Sequence, residues 1–133
     1  MKTKPLIVTN NDKVRNRCPD QVECRFLDGG TYLEVLKAAR DCIHQGCRLL
    51  NHPMAGSLKP NQTPFKTIVL DAQRSEGQDW LESVHLIENS IEGAEKFLSQ
   101  KGLPPWPEHI REDFKTVDLS LVKRMLEGEP LRG

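Results

Sequence analysis

The sequence has no apolar run long enough to span a membrane, no net charge and no paired-cysteine motif. Each absence removes a class of protein. A membrane helix needs about 20 consecutive apolar residues, so no partner role for a bilayer is expected. Lys+Arg number 19 and Asp+Glu 19, which argues against a nucleic-acid binder or a reader of anionic membrane surfaces. The four cysteines, Cys18, Cys24, Cys42 and Cys47, lack C-x-x-C spacing. Cys42 and His44 are two apart and would face different sides of a helix, so no metal site is expected. The first nine residues carry no apolar stretch of export-signal length, so a cytoplasmic location and free thiols are expected. G-x-S-x-G, Walker A and G-x-G-x-x-G motifs are absent, so no cofactor is expected.

What remains is enough for one domain, residues 1–133. Its charge is divided. Residues 1–66 hold 11 Lys/Arg and 6 Asp/Glu, a balance of +5, and residues 67–133 hold 8 and 13, a balance of −5. An anionic ligand or partner would therefore meet the first half.

Strand and helix signals alternate. Leu6-Ile7-Val8-Thr9 reads as a buried strand, closed by Asn10-Asn11-Asp12, which can cap a short basic helix over 13–18. Residues 22–26 alternate as a second strand, and Gly29-Gly30 breaks it. Thr31-x-x-Glu34 has the form of a capping box, and Leu33, Leu36, Ala39 and Ile43 make a helical stripe ending before Gly46. Residues 47–51 and 65–70 read as strands three and four. A long amphipathic helix follows over 79–101, with Ser75 and Gln78 placed for a second capping box. Two short helices are expected after it, 107–114 and 119–126, the second capped by Asp118. This order predicts an α/β fold: a small, mainly parallel four-stranded sheet with helices on both faces and a helical C-terminal part. The expected strand order is 2-1-3, plus a fourth strand of open direction.

In such sheets ligands sit beyond the carboxyl ends of the strands, where strand order reverses. Asn10 and Asn11 end strand one, and the segment 52–64 follows strand three. That segment is a long connection stiffened by Pro53, Pro60 and Pro64. Gly56 permits close backbone approach. His52, Ser57, Lys59, Asn61 and Thr63 supply donors, and no acidic residue lies between Asp41 and Asp71. Asn10, Asn11, His52, Gly56, Ser57, Lys59, Asn61 and Thr63 are thus the candidate ligand-binding residues, for a small anionic metabolite. Taken singly, Ser57, Asn61 and Thr63 read as partners of their own loop, with Lys59 in solvent; it is their grouping at the expected switch point that makes a site. A nucleophilic pairing of Cys47 with His52 fails, because five extended residues span about 16 Å.

Leu6-Ile7-Val8-Thr9-Asn10-Asn11, Tyr32-Leu33-Glu34-Val35-Leu36 and Ala39-Arg40-Asp41 precede the most distinctive string, His52-Pro53-x-x-Gly56-Ser57-x-Lys59-Pro60-Asn61-x-Thr63-Pro64. With Glu112-Asp113-Phe114 and Val117-Asp118-x-x-Leu121-Val122, these segments resemble the GrdX family over nearly the whole chain. That family is encoded beside glycine, sarcosine or betaine reductase components. The resemblance implies a cytoplasmic accessory role in that system and supplies no reaction. Two alternatives stand beside it. One is a small enzyme acting on an amino-acid-derived or phosphorylated metabolite, with His52 as acid/base and Lys59 holding the anion. The other is an interaction module that docks a reductase component through its acidic C-terminal helices.

Overall fold

The computed structural model describes residues 4–54 and 58–127. The element order is β1 (Pro5–Thr9), α1 (Asp12–Arg17), β2 (Glu23–Phe26), α2 (Tyr32–His44), β3 (Arg48–Leu49), β4 (Thr67–Asp71), α3 (Gln78–Gln100) and α4 (Glu108–Leu126). The four strands form one sheet in the order β2-β1-β4-β3. β1 pairs with β2 in parallel, while β4 runs antiparallel to both β1 and β3.

This corrects the expected topology. The sheet is mixed rather than mainly parallel, and β4 separates β1 from β3. The physical reason lies in the strands' composition. β1 and β4 are the two continuous apolar runs, and only central strands are covered on both faces. Every residue of β4 is buried, whereas β2 and β3 have exposed or half-buried positions that suit an edge. β1, β2 and β3 nevertheless run in the same direction. Their carboxyl ends and the amino end of β4 therefore share one end of the sheet.

Alternation along the central strands feeds two cores. Leu6, Val8, Ile68 and Leu70 pack against α2 and α3 through residues such as Leu36, Ile43, Ile87 and Ile91. Ile7 and Val69 face the other way and meet Val14 of α1 with Val122 and Leu126 of α4. Each fully buried aliphatic side chain contributes about 1.5–3 kcal/mol. Helices on both faces follow from this division.

Local signals explain the helix ends. The Thr31 hydroxyl accepts from the Glu34 N–H at 3.1 Å, and the Glu34 carboxylate accepts from the Thr31 N–H at 2.8 Å. Gly46 closes α2 with φ +114°, the left-handed region that glycine tolerates. Two expectations differ. The Ser75–Gln78 capping box does not form; Gly77 occupies the N-cap of α3 without a side-chain cap. The two short C-terminal helices are one continuous helix, α4. Asp118 lies mid-helix and is buried, because tertiary partners claim its carboxylate before any cap can. Cys42 and Cys47 are buried, Cys18 and Cys24 half-buried, and all four are free thiols. The burial of Cys24 is thus less than its place in a strand suggests, because β2 is an edge.

Candidate functional site

At the shared end of the sheet, Asn10 is a three-way tie. Its Nδ2 donates to the Gly30 and Pro64 carbonyls, each at 2.8 Å, and its Oδ1 accepts from the Lys66 N–H at 2.9 Å. It thereby fixes the β2–α2 turn and the entry to β4 on the end of β1. Asn11 does the same toward the other face. Its Oδ1 accepts from the Lys13 N–H and caps α1, while its Nδ2 donates to the Lys115 carbonyl and to Asp118 Oδ2, both at 2.9 Å. The Thr67 hydroxyl donates to the same carboxylate oxygen at 2.7 Å and lies 2.7 Å from the Thr9 hydroxyl. Burial pushes the Asp118 carboxyl above its ordinary pKa, opposed by the bonds from Asn11 and Thr67 and by the charge of Lys66.

These ties frame a cavity of about 600 Å³. Asn10, Phe26 and the turn Asp28-Gly29-Gly30-Thr31 bring the strand ends to it. Tyr32 and Leu33 of α2, with Pro60, Pro64 and Phe65, form further wall. Leu98 of α3 and Leu103 of the α3–α4 connection add apolar surface. The remaining lining is charged: Asp12, Arg111 and Lys115.

The two cations of α4 are not equivalent. The Lys115 ammonium lies 3.2 Å from Asp12 Oδ1 and 2.9 Å from Glu112 Oε2. Its pKa is raised mainly by the bond to Glu112 and further by Asp12, with burial opposing. The Arg111 guanidinium has no ion pair among the described residues. It rests 5.2 Å from the centroid of the Phe65 ring, which Lys115 also approaches at 5.4 Å. An arginine whose charge rests near an aromatic ring and not on a carboxylate keeps its forked donors available for a carboxylate or phosphate.

Behind the Tyr32 wall lies a buried lysine. Lys66 is 4% exposed, and its ammonium stands 5.5 Å from the Tyr32 ring centroid. Burial lowers its pKa to about 8, with the Asp118 charge opposing. Burial likewise raises the Tyr32 hydroxyl's pKa, and Asp118 adds to the effect.

Of the residues singled out in the sequence, Asn10 lines the cavity, and Pro60 and Pro64 bring the 52–64 segment to it. His52 and Lys59 are exposed and are not among the lining residues. His52 Nδ1 accepts from the Met54 N–H at 3.0 Å, the bond of a turn residue, and the Lys59 ammonium lies 5.2 Å from the Phe97 ring centroid. Asn61 donates to the Phe97 carbonyl at 3.4 Å, and the buried Thr63 hydroxyl accepts from the Phe65 N–H at 3.2 Å. Asn11 points to α4 instead, as described. Gly56 and Ser57 lie outside the described residues. The convergence of β1 and β3 ends as neighbours does not occur, because β4 stands between them.

Sequence reasoning missed Arg111, Lys115, Phe65 and Tyr32 as cavity residues. The available signal was the spacing Arg111, Lys115, Asp118 and Val122, one face of a single helix. Breaking that helix at Asp118 hid it.

Among the described residues no group of three or more His, Cys, Asp or Glu is placed to hold a metal, and no helix is long and apolar enough to cross a membrane. Fold and cavity together define a small mixed-sheet α/β protein with a largely apolar pocket, edged by charges of both signs, at its strand ends. The GrdX-like protein family matches residues 6–127, and the chain belongs to that family. No curated protein and no solved structure matches it.

Proposed function

We propose that this protein is a cytoplasmic accessory protein of the glycine, sarcosine or betaine reductase system that binds a small anionic metabolite in the cavity beside Asn10. Arg111 carries the reading. It lines the cavity, it lies 5.2 Å from the Phe65 ring centroid, and it makes no ion pair among the described residues. Lys115 is already committed to Asp12 and Glu112, so it contributes less net attraction. Asn10 acts by positioning the cavity wall, since its polar atoms are spent on Gly30, Pro64 and Lys66.

The test is a thermal-shift screen of anionic metabolites, acetyl phosphate and glycine derivatives included, followed by calorimetry on wild type and Arg111→Ala. A charge-assisted hydrogen bond is worth about 1.5–3 kcal/mol, so the variant should bind at least about tenfold more weakly. Equal affinities would overturn the assignment.

A further inference from the structure

The walls of the cavity say more about the ligand than Arg111 alone does. A site built for a bare phosphate or a two-carbon acid would be small and ringed by donors. This one has a volume of about 600 Å³, within the range that encloses ligands of drug-like size. At about 30 Å³ per water, that space corresponds to about twenty molecules of liquid. A small anion at Arg111 would displace few of them and leave Leu33, Leu98, Leu103 and Phe26 wet.

The charged and apolar parts of the lining come from different elements. Arg111 and Phe65 mark one part of the lining, while Leu98 and Leu103 come from the end of α3 and the connection after it. Leu103 is 38% exposed, an apolar residue open to solvent while lining a cavity. Burying such surface is favourable in proportion to its area, and a ligand with an apolar body would bury it.

We infer that the cavity takes an amphiphilic anion: a carboxylate or phosphate head bound at Arg111, carrying an aliphatic or aromatic body that packs on Leu33, Leu98 and Leu103. The inference rests on the anion-binding reading above and adds the class of ligand. Asp12 and Asp28 also line the cavity, and like-charge repulsion from them disfavours a second negative group on the ligand.

The probes are straight-chain carboxylates of increasing length, acetate, butyrate, hexanoate and octanoate, with octanamide as the neutral counterpart of octanoate. Affinities are read by NMR titration, which reaches millimolar constants. Each added methylene should tighten binding about fourfold, the equivalent of about 0.8 kcal/mol, until the cavity is filled. Arg111→Ala should weaken every carboxylate by a similar factor and leave the dependence on length intact. Leu103→Ser, at an already exposed position, should flatten that dependence and leave acetate unchanged; Leu98→Ser should do so more strongly, provided its melting temperature shows it folded. Affinity independent of chain length, with Arg111 still required, overturns the amphiphile and leaves the anion site standing. Octanamide binding as well as octanoate, with no effect of Arg111→Ala, overturns the anion site itself.

Discussion

Asn11 and Asp118 stand 107 residues apart in the chain and meet at 2.9 Å, amide donor to carboxylate oxygen. One end of β1 is thereby bolted to the middle of the last helix. The same carboxylate takes the Thr67 hydroxyl, so β1, β4 and α4 share a single buried anion. Such a node is costly to break from one side, because the partners left behind are buried and unpaired.

Asp118→Ala should therefore cost about 2–4 kcal/mol in urea unfolding, more than an ordinary helix-surface change.

Asp118→Asn tests the charge apart from the contacts. Burial raises the folded-state pKa of Asp118, so the folded protein holds this proton more tightly than the unfolded chain does. The electrostatic penalty is absent below the unfolded carboxyl's pKa and grows as pH rises through the raised value. Urea midpoints measured from pH 3 to 7 should show the Asn variant gaining on wild type as pH increases. A constant difference would mean that Asp118 does not titrate in this way.

Lys66 has the opposite chemistry and a different window. Its folded-state pKa of about 8 lies below the ordinary 10.5. The folded state binds fewer protons between those values, so this group's penalty is full below pH 8 and is relieved by pH 10.5. The gap corresponds to about 3 kcal/mol. Lys66→Met should stabilise the protein at pH 7 by about 1–3 kcal/mol, part of the gain being offset because Asp118 loses a neighbouring positive charge. Its advantage should shrink as pH rises past 8, which urea unfolding across that range would show.

Gly46→Ala meets two obstacles. The φ of +114° disfavours any side chain, and a Cβ there would lie 2.9 Å from Arg74 Cγ. A loss of more than about 1 kcal/mol is expected. Adding Arg74→Ala should recover only the steric part, leaving the backbone cost visible in a double-mutant comparison.

The thiols should differ in rate toward a disulfide reagent. Cys42 and Cys47 are buried, and burial together with the adjacent Cys24 pushes Cys18 up to about 12. Half-buried Cys24 should supply the fast phase at pH 8, and Cys24→Ser should abolish it. All thiols should react together in urea.

The sequence was most readable where the determinant is local. The Thr31–Glu34 box, the stripe through Ile43 and the glycine after it specify α2 between Thr31 and Gly46, and the structure has it there. Strand existence was readable from Leu6-Ile7-Val8 and Ile68-Val69-Leu70. Strand order was not, because the choice of β4 over β3 as neighbour to β1 depends on which strand tolerates an edge, a comparison between distant segments. Asp118 shows the same limit. A helix-capping residue and a buried carboxylate look identical in one dimension, and only Asn11 and Thr67, far away, decide between them. The end of the sheet at which the cavity lies was legible from strand direction; its arginine was hidden because the helix that carries it was expected to break before Asp118.

The first strand in the chain lies inside the sheet, and one of its two flanks waits for a segment whose Thr67 is 58 residues beyond Thr9. During synthesis β1 has only the four-residue β2 to pair with, and an isolated pair of strands is marginal in water. Nothing in the first half of the chain can close the sheet on its own. Residues through Asp71 must leave the ribosome before β1 is flanked, and α4 must follow before Ile7 and Val69 are covered. In the nascent protein β1 thus stays half-paired from the making of β2 until that of β4, and Ile7 stays uncovered until α4 is made.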